Sequence, residues 1–105
     1  MLNRGEKSVE NNNIGLDKEN LIATLTEELP SLRAKIGVSQ EDLCSIVGIS
    51  RQTYSSIETK KRKMSWNIYL SLIMFFIHNE KTSPIIETIG AFPEQLKDTL
   101  NINNR

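Results

Sequence analysis

The sequence predicts an all-α fold of five or six helices, and three observations carry that expectation. From Asn20 onward, apolar residues recur three and four positions apart, the spacing of one helix face. No stretch alternates apolar and polar residues at the period of two that a half-buried strand requires. Serine, proline and glycine punctuate the chain where helices would start and stop.

The elements follow in order. Leu21, Leu25, Leu29 and Leu32 form the face of the first helix. Pro30 interrupts it, either starting a fresh helical turn or kinking a longer helix. Gly37 offers a left-handed stop. Ser39 opens the second helix three residues before Asp42, the spacing of a capping box. Leu43, Ile46 and Val47 are expected to face inward, and Gly48 ends the helix. Ser50 caps a third helix from Arg51 to about Thr59, with Tyr54 and Ile57 inward. After the basic run Lys60, Lys61, Arg62, Lys63, Ser65 caps a fourth helix reaching about Asn79. Ser83 and Pro84 start a short helix, proline standing at its favoured first position, and Gly90 ends it. Pro93 starts a last one to about Asn101, with Leu96 and Leu100 on one face. Residues 1–18 are Asn-rich and without useful period, so a flexible polar tail is expected there. Arg4 and Lys7 have Glu6 and Glu10 beside them, which favours a solvated tail over an arm on a polyanion.

Composition limits the function classes. A chain of 105 residues makes one domain with room for a core. One cysteine excludes an intramolecular disulfide framework and a multi-cysteine zinc site, and suits a reducing compartment. The first thirteen residues hold no apolar stretch of the length a secretory leader needs. The longest apolar stretch, Trp66 to Ile77, falls short of the roughly 20 residues of a membrane span. A soluble, cytoplasmic protein is expected. There is no paired carboxylate cleft, no nucleophile with a histidine, no Gly-rich phosphate loop and no metal cluster in the pattern. The expectation is therefore no enzyme, no cofactor, no metal and no small-molecule substrate. Zero net charge argues at first against nucleic acid, but the charge is segregated. Residues 31–63 carry seven basic side chains (Arg33, Lys35, Arg51, Lys60, Lys61, Arg62, Lys63) against three acidic ones (Glu41, Asp42, Glu58). A local positive field of that kind attracts a phosphate backbone.

The stretch QEDLCSIVGISRQTYSSIET, Gln40 to Thr59, reads as two helices crossing steeply through a tight turn. Cys44 is the small residue where the helices approach, and Gly48 tolerates the positive φ of the turn. Leu43, Val47, Ile49, Tyr54 and Ile57 supply the inner faces. Arg51, Gln52, Thr53, Ser55 and Ser56 lie on the outward face of the second of the two helices. Arginine can donate bidentately to guanine and glutamine to adenine in a major groove.

The run LRAKIGVSQEDLCSIVGISRQTYSSIE resembles the phage-repressor and Cro-like helix-turn-helix regulators, the XRE family, over roughly residues 29–76. The resemblance implies a lambda-repressor-like bundle of five to six helices. Residues 19–80 are read as a DNA-binding domain and residues 81–105 as a helical extension packing on the fourth helix or on a dimer partner. The resemblance also implies roles. Arg51, Gln52 and Ser56 match base-reading positions. Gln40, Ser50, Thr53, Lys60, Lys61, Arg62 and Lys63 match contacts to phosphate or backbone. Arg33 and Glu58 match a structural ion pair. Four consecutive basic residues after the recognition helix is heavier than usual for the family.

Other residues have plainer readings. Cys44 is a small core residue before it is a redox sensor. Tyr54, at a position that is usually aliphatic, packs in the core with its hydroxyl near the rim. His78 is a solvated residue near a helix end. The fourth helix is apolar on nearly all its faces and must be covered on all of them. Trp66, Phe75, Phe76, Ile85, Ile89 and Phe92 are therefore expected to form a dimer or partner surface. The resulting expectation is a sequence-specific regulator of double-stranded DNA, a homodimeric repressor on a palindromic operator. The alternative is an antitoxin-like protein that binds a toxin through its apolar C-terminal region and represses its own operon.

Overall fold

A computed structural model describes residues 15–101. It has six helices and, among the described residues, no strand: α1 (Lys18–Ile36), α2 (Gln40–Val47), α3 (Arg51–Glu58), α4 (Trp66–His78), α5 (Ser83–Ile89) and α6 (Glu94–Leu100). Most of the expected tail lies outside the described residues. Its last part does not, for α1 begins at Lys18 with Asp17 as its cap, the Asp17 side chain accepting from the Asn20 N–H at 3.1 Å.

Pro30 stands inside one continuous helix. It has no N–H to give to the carbonyl of Thr26, so the ladder lacks one rung. Leu25, Leu29 and Leu32, all fully buried, bind the helix to the core on both sides of the gap. Serine side chains start the next three helices. Ser39, Ser50 and Ser65 accept from the backbone N–H of Asp42, Thr53 and Ile68. Thr82, before α5, acts in the other direction. It is buried, and its hydroxyl donates to the Phe76 carbonyl at 2.7 Å, closing the end of α4 instead of opening α5.

Four helix ends share one hydrogen-bond pattern. The residue after the stop donates its N–H to the carbonyl five positions back: Val38 to Arg33, Ile49 to Cys44, Lys61 to Ser56 and Ala91 to Ile86, all at 2.9–3.1 Å. The stop residue is left-handed each time, at Gly37, Gly48, Lys60 and Gly90. Glycine takes that conformation without cost, whereas a side chain there costs about 1–2 kcal/mol.

One core joins all six helices. Leu25, Leu29 and Leu32 of α1 meet Leu43 and Cys44 of α2 and Tyr54 and Ile57 of α3. Tyr69, Leu72, Ile73 and Phe76 of α4 join them with Ile86 and Leu96. The buried hydroxyl of Tyr69 donates to the Ala91 carbonyl, tying α4 to the turn between α5 and α6. Two expectations need correction. Ile46 does not face inward but is 61% exposed. On α2 the inner residues Leu43, Cys44 and Val47 centre on a direction about 100° away from Ile46, at about 100° per residue. Phe76 is no partner surface, because it is completely buried in the core of the single chain. Trp66, Phe75, Ile85, Ile89 and Phe92 are half-buried and pack against that core. Trp66 stacks on Tyr69 with ring centroids 4.8 Å apart, and the Lys18 ammonium lies 5.0 Å from its ring centroid. The exposed apolar residue of α4 is Met74, which with Ile77, Phe92 and Leu100 lines a shallow concavity between α4 and α6.

Phe76→Asp is therefore expected to lose the cooperative thermal transition altogether. A buried Phe is worth about 3–5 kcal/mol, and an unpaired buried carboxylate adds to the loss. Met74→Asp, at a side chain half exposed in the single chain, is expected to keep a cooperative transition and cost far less than Phe76→Asp. A cooperative melt of the Phe76 variant near the wild-type temperature contradicts this placement.

Candidate nucleic-acid interface

The third helix has eight residues and cannot hold itself in water, so what anchors it decides where its outer face points. Tyr54 and Ile57 are fully buried and fix one side. Glu58, its last residue, fixes the C-terminal end. Its carboxylate accepts from Arg33 twice, Nε at 3.0 Å and Nη2 at 2.8 Å. It also accepts from Gln40 Nε2 at 2.8 Å and from the Tyr54 hydroxyl at 2.7 Å. Arg33 Nη1 donates further to the Val38 carbonyl at 3.3 Å. One carboxylate thus joins α1, the first residue of α2, and α3.

The side chains of Arg33 and Glu58 are only 20% and 9% exposed. Burial pushes the Glu58 carboxyl up, and the hydrogen bonds from Arg33, Tyr54 and Gln40 outweigh it, so the group is held below its ordinary value. The hydrogen bond to Glu58 raises Arg33 in turn. Burial first, and then Glu58, push the Tyr54 hydroxyl far above its ordinary value. The Tyr54 ring lies in the core, and its hydroxyl completes the ion pair. Burial also raises the Cys44 thiol, away from the thiolate that redox chemistry needs.

The opposite side of α3 is wet. Arg51 and Gln52 are exposed at its start, and Ser55 and Ser56 are half-exposed one turn later. Together with Thr59 and Lys61 they line a shallow open concavity of about 440 Å³. Thr59 was not among the expected site residues. It follows Arg51 and Ser55 at four-residue intervals, which is the signal that places it on this face. Ser50 and Thr53 are engaged with each other, since the Ser50 hydroxyl donates to Thr53 Oγ1 at 2.8 Å and accepts from the Thr53 N–H at 3.1 Å. Gln40 spends one amide hydrogen on Glu58, which leaves its second to point elsewhere.

The basic loop divides. Lys60 Nζ lies 2.5 Å from Glu27 and Lys63 Nζ pairs with Glu19, both carboxylates on α1. Lys61 and Arg62 also line the concavity against α1 with them, and Lys61 in addition borders that of Arg51 and Gln52. The remaining expected residues, Trp66, Phe75, Phe76, Ile85, Ile89 and Phe92, are placed by the core and stand apart from this face. His78 keeps a local contact, Nδ1 lying 2.8 Å from the Met74 carbonyl. Among the described residues no group of three or more His, Cys, Asp or Glu is arranged to hold a metal ion, and no helix is long and apolar enough to cross a membrane.

A family model described as helix-turn-helix matches residues 31–65. That segment runs from the C-terminal half of α1 to the start of α4 and includes the Glu58 junction. The match places a helix-turn-helix in this third of the chain, where the sequence resembles the phage-repressor and Cro-like regulators. The match supports a DNA-binding transcriptional regulator. No curated protein and no solved structure matches the chain. In this helix-turn-helix α2 and α3 are the paired helices, and the left-handed Gly48 turns the chain between them.

Two measurements test the Glu58 junction. In urea, Arg33→Met is expected to lower stability by about 2–4 kcal/mol, below the range for a fully buried pair because Arg33 keeps some solvent. Tyr54→Phe, which removes one hydrogen bond to a charged group, is expected to cost about 1.5–3 kcal/mol. The pH dependence has a definite sign. The folded state holds Glu58 below its ordinary value, so the unfolded chain takes up the proton first. The contribution of Glu58 is complete above about pH 5 and is lost as the pH falls through the carboxylate range. Wild type is expected to lose more stability between pH 6 and pH 3 than Glu58→Gln; equal losses contradict the junction.

Proposed function

We propose that the protein is a repressor that occupies a palindromic operator as a homodimer, with α3 in the major groove of each half-site. One observation supports this most directly. Arg51, Gln52, Ser55 and Ser56 form a continuous polar face on a helix whose other side and end are fixed by the core and by Glu58. Arg51 and Gln52, at the helix start, are the base readers, with Ser56 behind them. The amide of Gln40 and the Ser50–Thr53 pair at the N-terminal ends of α2 and α3 meet the phosphates on either side. Such contacts fix register, while base contacts fix sequence. An exposed side chain held by a rigid backbone gives up little further entropy when it meets a base edge.

A palindrome requires two copies with recognition helices about 34 Å apart. The apolar concavity of Met74, Ile77, Phe92 and Leu100 is the face that would join them. Met74 and Leu100 keep 50% and 46% of their surface in the single chain. The antitoxin-like reading uses the same face for a different protein.

Selection of bound duplexes from a random library at about 150 mM salt tests the whole reading, since purely electrostatic binding is weak there. A palindrome with half-sites about one helical turn apart is the expected product. On that operator, Arg51→Ala is expected to weaken binding by about 1–3 kcal/mol while binding to random duplex stays nearly the same. Equal losses on both would remove Arg51 from base reading. In sedimentation, wild type is expected to be a dimer and Met74→Glu a monomer. A wild type that stays monomeric at high concentration moves this face to a different partner.

A further inference from the structure

Three of the four helix stops that share the pattern above carry glycine, and the fourth carries Lys60 at φ +67°. Nothing in the backbone asks for lysine there. A Cβ added at Gly37, Gly48 or Gly90 meets no atom within 4 Å, so these stops are set by backbone conformation alone and glycine would serve equally at residue 60. A strained residue that persists where an unstrained one would serve points to a use for its side chain. The Lys60 ammonium goes to Glu27 on α1, and that of Lys63 goes to Glu19 on the same helix. Between them the backbone is held from the other side. The N–H groups of Lys61 and Arg62 both donate to the Ser56 carbonyl, at 2.9 and 3.1 Å. All four basic residues line the concavity against α1, but Lys61 alone of them also reaches the concavity of Arg51 and Gln52.

We infer that the four-residue basic run is not a uniform phosphate-binding strip: Lys60 and Lys63 are positioning residues that dock the loop onto α1, and Lys61 is the lysine they aim at the DNA backbone beside the recognition helix. This rests on the DNA-binding reading and adds a division of labour that charge alone does not show. The two α1 carboxylates then have a role as well, as the anchors of the loop.

The dependence of DNA affinity on salt separates the roles, because each phosphate contact contributes about 0.9 to the slope of log K against log salt. The full chain is titrated with a duplex of random sequence. Lys61→Met is expected to lower the slope by about 0.9. Lys60→Met is expected to leave the slope unchanged and weaken binding by no more than about fivefold, the range of an exposed ion pair. Lys60→Arg, which keeps the pair, is expected to bind like wild type. Lys60→Glu is expected to weaken binding, and Glu27→Lys added to it to restore most of the loss. A slope at Lys60→Met or Lys63→Met reduced as much as at Lys61→Met overturns the inference, and so does a charge swap that restores nothing. A wild type that binds no duplex fails at an earlier step and overturns the DNA-binding reading itself.

Discussion

Everything on the outer face of α3 depends on the carboxylate of Glu58. A carboxylate offers about four acceptor positions. Here two are filled by Arg33 of α1, one by Gln40 of α2 and one by Tyr54 of α3 itself. A buried ion pair is weak evidence for net stability, since taking the charges out of water costs about what their attraction returns. Its effect here is geometric. With every lone pair used, Glu58 has one arrangement in which it is satisfied, and that arrangement specifies how three helices cross.

The helix carrying the reading face can therefore be short and polar. Of its eight residues, Tyr54 and Ile57 bury their side chains and Glu58 nearly does so. Those three suffice because the core and the ion pair act on the same side. The remaining positions are released from packing, and a run such as Arg51, Gln52, Ser55 and Ser56 can face solvent without loss of the fold. Tyr54 belongs to both groups. Its ring fills the core and its hydroxyl reaches the ion pair four residues on, a double task that an aliphatic side chain could not perform.

Caps and stops were legible in the sequence because they are local chemistry. Ser39, Ser50 and Ser65 accept from the third residue on, and Gly37, Gly48 and Gly90 turn left-handed, whatever surrounds them. The cap at Asp17 was equally local but lay in a stretch read as tail. Direction on an all-apolar helix was harder. On α4 several stripes compete, and the polar residues decide among them. Asn67, Ser71 and His78 share one face with Met74, and Tyr69, Leu72, Ile73 and Phe76 lie opposite. That spacing was present in the sequence, and it assigns Phe76 to the core and Met74 to solvent. The division of the basic loop was not legible. Four adjacent cations look alike in sequence, and only the folded loop shows Lys60 and Lys63 paired with α1 carboxylates and Lys61 bordering the concavity of Arg51 and Gln52.

The first helix lies behind α3 and yet determines where the reading face points. Arg33 holds Glu58, and six residues earlier Glu27 holds Lys60, so the end of α3 and the loop that follows it meet α1 at two points about 9 Å apart along its axis. One attachment would leave a pivot. Two attachments fix a direction, and Glu19, about 12 Å further along, carries the line on to Lys63. The outer two pairs are exposed and individually weak, worth about 0–1 kcal/mol each. They need supply little, because the buried pair has already located the helix and only the bearing of the loop remains free.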